Sequence, residues 1–158
     1  MSFPAFFDTN VLYGALLNDF ILELADRSLF RPLWSKDVLF ELAKNLVKHG
    51  EDPVLVEKRV GTMERYFADA MVTGYDGLVP TMTNDEKDRH VLAAAVRGGA
   101  EVLVTFNTKD FPQDSVEPFD LELVEGYDSP AMTVDHFLLA LARAGVPKFV
   151  DAARAKLY

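Results

Sequence analysis

The chain has 158 residues, 25 of them acidic and 16 basic, with a formal charge of −9 and no cysteine. That length predicts one domain burying about 70% of the surface its unfolded chain exposes, with no need of an accessory staple. The missing cysteine excludes disulfides, thiolate nucleophiles and zinc–thiolate sites and agrees with a reducing cytoplasm, and the acidic excess argues against coating DNA or RNA by charge alone.

The opening MSFPAFFDTN lacks the basic and long apolar regions of a signal peptide, and no run approaches a membrane span. Phe3 to Phe7 reads as a central strand ending at Asp8-Thr9-Asn10, with Asn10 placed to cap a helix whose apolar positions are Val11, Leu12, Ala15, Leu16 and Leu22. Phe30 to Trp34 is a weaker strand, because Pro32 lacks a donor and points to an edge or a non-strand connection. Ser35 is an N-cap for a helix from Lys36 to about Lys48, which carries Val38, Leu39, Leu42 and Leu46 on one stripe and ends at Gly50. Glu41 borders that stripe between Val38 and Asn45, where a solvated surface residue is the ordinary reading.

Pro53 opens a third helical region with Val56, Val60, Met63 and Phe67 on one face, interrupted at Gly61. From Phe67 to Met82 the pattern blurs into a turn at Tyr75-Asp76-Gly77 and a brief extended piece at Leu78-Val79-Pro80. The stretch NDEKDRHVLAAAVRGGAEVLVTFNTKDF, Asn84 to Phe111, then predicts a helix stopped at Gly98-Gly99 and a doubly buried strand from Glu101 to Phe106. Such a helix–turn–strand unit belongs in a parallel α/β sheet. Asp88 lies three, four and seven residues before Val91, Leu92 and Ala95, which puts a carboxylate at the N-terminal end of the sheet-facing side of that helix. Pro112 to Pro118 is loop-like and Leu121 to Val124 a last strand. Thr133 caps a helix from Val134 to Ala144, Gly145 ends it and Pro147 starts another, so that residues 133–158 cover the sheet or a partner chain. With no repeat or linker, residues 1–158 read as a single domain.

In a parallel sheet the strand C-termini and helix N-termini share one edge, where such folds bind ligands. Asp8 and Asp110 end strands, Asp88 starts a helix and Glu41 lies between the first two strands in sequence, so four acids are placed to converge on that edge. Uncompensated, they repel and one takes up a proton; a hard dication such as Mg²⁺ or Mn²⁺ removes that penalty.

These residues carry a resemblance. FDTNVL at Phe7–Leu12, SKDVLFEL at Ser35–Leu42, DRHVLAAAV at Asp88–Val96 and LVTFNTKDF at Leu103–Phe111 resemble, in order and spacing, the successive motifs of the PIN domain family, most closely its small prokaryotic members similar to the toxin of VapBC toxin–antitoxin pairs. The resemblance implies a three-layer α/β/α fold with a central parallel sheet and helices on both faces. It also implies metal-dependent endoribonuclease activity on an RNA substrate, an antitoxin partner and homodimerisation, while the cytoplasmic, membrane-free setting is the expectation from the missing signal-peptide and membrane-span patterns. Carried over residue by residue, Asp8, Glu41 and Asp88 match the recurrent metal-site acids. Asn107 stands where many members have aspartate, which leaves Asp110 as the nearest acid for the fourth catalytic and metal position, or as a structural residue of the turn. Thr9 and Thr105 resemble hydroxyl positions that hold the acids, with local turn bonding as the plain alternative. Arg89, Lys87 and Lys109 flank the mouth as candidate RNA-backbone contacts, and His90 is read as a surface or capping residue.

Two rivals belong to other classes. A Mg²⁺-dependent phosphohydrolase of the haloacid dehalogenase type also begins with a strand ending in Asp, but needs a second acid two residues on, where this chain has Asn10. A PIN-like binding module with a decayed site is the other, and Asn107 is the feature that supports it.

Overall fold

The structure, a computed structural model, describes residues 3–125. The helices expected over 133–158 lie outside those residues. Five parallel strands, β1 (Phe3–Phe7), β2 (Phe30–Ser35), β3 (Met71–Val72), β4 (Val102–Thr105) and β5 (Glu122–Glu125), form one sheet in the order β3-β2-β1-β4-β5. Between them run α1 (Thr9–Tyr13), α2 (Ala15–Asp26), α3 (Lys36–Lys48), α4 (Pro53–Tyr66), α5 (Arg89–Arg97) and the short α6 (Gln113–Val116). Parallel crossovers are right-handed, so the β1→β2→β3 steps and the β3→β4→β5 steps, which travel in opposite directions, put their helices on opposite faces. The result is the expected three-layer α/β/α fold. The direction of travel reverses between β1 and β4, and their C-terminal ends are the switch point at which open parallel sheets bind ligands.

The core explains why the central strands read as unbroken apolar runs. Phe6, Phe7, Leu103 and Val104 are buried, as are Val38, Leu39, Leu42 and Leu46 on α3. On α5 the five consecutive residues Val91 to Ala95 are all buried, more than one helical face. A 3-10 turn at Asp76–Thr81 packs on α5 as the sheet does, and the alanines let both approach. Gly98 closes α5, and a Cβ there would meet Val72 Cγ2 at 2.7 Å; Gly99 follows in the left-handed region at φ 70°.

Several local expectations are corrected. The helix after β1 is capped by Asp8, whose Oδ1 accepts from Thr9 N, so Asn10 lies inside α1 and its side chain is free for another task. Gly14 splits that helix into α1 and α2. Strand β2 is internal, yet β3 covers only Trp34 and Ser35, and Pro32 sits where β2 has β1 alone beside it. Gly61 does not divide α4, which runs unbroken from Pro53. Leu78-Val79-Pro80 is part of the 3-10 turn rather than extended. Asp88 ends a second 3-10 turn and is the N-cap of α5, one step outside the helical face to which spacing assigned it.

Candidate functional site

Asp8 leaves β1 at the switch point with its amide bonded to Val104 O of β4 at 3.0 Å. Its carboxylate is fixed at both oxygens: Thr9 N donates to Oδ1 at 2.7 Å and the Thr105 hydroxyl donates to Oδ2 at 2.9 Å. Thr105 Oγ1 also accepts from Asn107 N at 3.1 Å, so a single hydroxyl at the end of β4 ties Asp8 to the following turn. Asn10 completes the tie, its Oδ1 accepting from Phe106 N at 3.2 Å. Burial pushes the Asp8 carboxyl up; the bonds from Thr105 and Thr9 work against that rise, and the charge of Glu41 adds to it.

Asp88 arrives from the opposite face. Asn84 Nδ2 donates to Asp88 O at 3.0 Å and fixes the backbone that aims it. Burial, then the negative charge of Asp8, pushes the Asp88 carboxyl up to about 6. Lys87 offsets part of this. Its Nζ stands 3.5 Å from Asp88 Oδ2, 3.3 Å from Asp85 Oδ1 and 2.8 Å from Asp110 Oδ2, and it holds the Asp110 carboxyl below the ordinary range.

Glu41 on α3 faces the same edge. The Thr9 hydroxyl lies 3.2 Å from both Glu41 Oε2 and Val38 O and donates to one at a time. His90 Nε2 meets Glu41 Oε1 at 3.1 Å; this contact lowers the Glu41 carboxyl below its ordinary value and raises the imidazole above its own. His90 is therefore a partner of Glu41 and not a surface residue. Helical spacing pointed it away from Asp88, but α5 starts only at Arg89, so the 88–90 step is not a helical one.

A cavity of about 600 Å³ is lined by Asp8, Thr9, Asn10, Glu41, Asp88 and Asn107, and continues past Tyr13, Asn45 and Phe106. Asp110 does not line it. The carboxylate of Asp110 turns to Lys87 while Asn107 faces the cavity. Of the candidate RNA contacts, Arg89 Nε donates to Asn84 O at 3.0 Å and Lys109 is exposed. Among the described residues no group of three or more acidic or histidine side chains is gathered closely enough to hold a metal ion as it stands. The donor chemistry nevertheless fits a hard dication at Asp8 and Asp88. Both offer oxygen, both carboxyls are pushed up by burial, and the buried Asp88 Oδ2 is met by Lys87 Nζ only at the long distance of 3.5 Å.

The model of the family described as "PIN domain" matches residues 4–109, which carry β1, β4 and all three cavity-lining acids. The chain belongs to the PIN domain family. Beyond the PIN match, residues 121–155 match a family described as "VapC50 C-terminal domain", which begins just before β5, itself hydrogen-bonded to β4 within the sheet. The protein named "Putative ribonuclease VapC50" from Mycobacterium tuberculosis is 36% identical over 110 residues, an alignment covering 54% of this chain and 64% of that protein. The chain thus spans less than two-thirds of the length of that relative. No solved structure matches this PIN chain.

Proposed function

We propose that this PIN protein is a metal-dependent endoribonuclease, the toxin component of a toxin–antitoxin pair, using Mg²⁺ or Mn²⁺. The observation that carries the reading is the confinement of Asp8 and Asp88 at the sheet's switch point, two carboxyls pushed up by burial that line one cavity. Family membership and the ribonuclease in the relative's name support the substrate class. The phosphohydrolase rival is not favoured, because Asn10 bonds Phe106 N where that mechanism needs an acid. The decayed-module rival is not favoured either, since Asp8, Glu41 and Asp88 all face one cavity.

When bound by Asp8 and Asp88, the divalent ion supplies Lewis-acid polarisation of the scissile phosphate and the attacking water. The protein's own part is positioning and proton handling. Thr9 and Thr105 hold both Asp8 oxygens. Glu41, ionised through its contact with His90, orients the water and accepts its proton in this reading. Asp110 acts through Lys87 to place Asp88, and Asn107 takes the cavity-facing fourth position. Arg89 and Lys109 meet the RNA backbone. No covalent intermediate is needed.

The rest of the reading is a soluble cytoplasmic homodimer, one unit over residues 1–158, held inactive by an antitoxin. It is supported by the VapC-type relative, by β5 lying in both the sheet and the second family match, and by the absence, among the described residues, of a helix long and apolar enough to cross a membrane. The test is cleavage of varied single-stranded RNAs by metal-loaded protein, with loss expected on EDTA treatment and a fall of at least about a hundredfold in Asp8→Asn and Asp88→Asn. Cleavage that persists in EDTA, or in both variants, sinks it.

A further inference from the structure

The cavity has a second end that the acids do not use. Beyond Asp8 and Asp88 it runs along α1 to Tyr13 and along α3 to Asn45, with Phe106 and Leu16 on its walls. Tyr13 and Phe106 are half-buried and Leu16 is 74% exposed, so apolar surface faces open space directly beside a polar centre. Tyr13 is held in place. Arg59 Nη2 reaches across from α4 and donates to Leu12 O at 2.6 Å and Tyr13 O at 3.3 Å, closing the C-terminus of α1. The His49 ring meets the Tyr13 ring edge-on at 5.7 Å and 86°, and His49 Nδ1 is itself held on Asn45 O at 2.8 Å. Asn45 stands one turn beyond Glu41 on the same face of α3, with its side-chain amide unbonded among the described residues.

We propose that this end is a nucleobase subsite, in which Tyr13 supplies the stacking face and the Asn45 amide reads the base edge, while the adjoining phosphate lies at Asp8 and Asp88. The inference rests on the ribonuclease reading for its substrate and deepens it to single-stranded RNA with one base turned out beside the cleaved bond. An aromatic ring stacks any base, and an amide with one donor and one acceptor face distinguishes among them. Arg59 and His49 fix the ring before a base arrives, which lowers the ordering cost of binding.

Free nucleosides test the subsite apart from catalysis, because they carry no phosphate. With the full chain in EDTA, adenosine, guanosine, cytidine and uridine are titrated while the Tyr13 ring and Asn45 side-chain amide signals are followed by NMR, with ribose as control. At least one nucleoside is expected to shift both signals and ribose neither. Tyr13→Ala is expected to weaken that binding about tenfold and Tyr13→Phe to keep it, and Asn45→Ala to change the ranking of the four bases. The proposal is overturned if no nucleoside shifts these signals in the wild-type chain, a result that needs no variant to fold, or if folded Tyr13→Ala binds as well as wild type. Stronger shifts from N-acetyl-leucinamide than from any nucleoside would make this end an anchor for an apolar peptide side chain and would equally overturn it. Nucleoside binding without RNA cleavage leaves the subsite and removes the nuclease, whereas cleavage without nucleoside binding does the reverse.

Discussion

Thr105 carries a larger share of the site than its size indicates. Its hydroxyl donates to Asp8 Oδ2, accepts from Asn107 N and lies 3.5 Å from Asn10 Nδ2, so Thr105→Val strips a buried carboxylate of one of its two donors while leaving the shape intact. The expected cost is about 1–3 kcal/mol, read by urea unfolding; an unchanged midpoint would show that Asp8 does not depend on this bond. Asp88 gives a prediction with a definite sign. Its carboxyl titrates at about 6 in the folded chain against an ordinary 3.8, so between those values the folded state holds the extra proton and stability falls as pH rises. The favourable contribution is complete below 3.8 and lost as pH climbs through 6. Metal-free Asp88→Asn is therefore expected to melt higher than wild type at pH 7, with the gap closing towards pH 4; a variant no more stable than wild type at pH 7 contradicts it. The Glu41–His90 pair has the complementary window, since its lowered carboxyl and raised imidazole stabilise the fold most between their ordinary values of 4.5 and 6.5.

At the scale of elements, the site depends on how closely α5 lies against the sheet, because Asp88 caps α5 while Asp8 ends β1. The contact is closest at Gly98. A methyl group added there meets Val72 at 2.7 Å and Leu33 Cδ1 at 3.2 Å, so Gly98→Ala forces the helix end away from β2 and β3. Thermal unfolding of this variant should show a loss of about 1–3 kcal/mol, the usual range for overpacking. Stability equal to wild type would mean that α5 can slide without strain. The α1 segment behaves differently: five residues cannot sustain a helix alone, and it persists because Asp8 caps one end and Arg59 the other.

For the whole molecule, a net charge of −9 and a cluster of confined acids predict that divalent ions stabilise the folded chain by mass action. Mn²⁺ at about a hundred times its dissociation constant should add about 2.7 kcal/mol, visible as a rise in Tm that vanishes in Asp8→Asn. An equal rise in that variant would place the ion elsewhere.

Periodicity and punctuation made most of the architecture legible in advance. The apolar runs Phe3–Phe7 and Glu101–Phe106, the Ser35 cap and the Gly98-Gly99 stop needed only local rules, because strand and helix signals are properties of neighbouring residues. Asp88 stood out because spacing put a carboxylate on the sheet-facing side of a helix, which is costly unless something satisfies it, and Asp8 gained weight only when pooled with the other acids at the same edge. What no local rule reached were the partners: His90 on Glu41, Lys87 on Asp110, Asn10 on Phe106 and Arg59 on the end of α1. The sequence by itself determined the strongly patterned elements, β1, α3, α5 and β4, and which acids were candidates for the site, while β3 and α6 were too short to carry a pattern of their own. Tertiary structure alone decided which side chains meet at the switch point, because those contacts join residues 23 to 96 positions apart, beyond the reach of any local pattern.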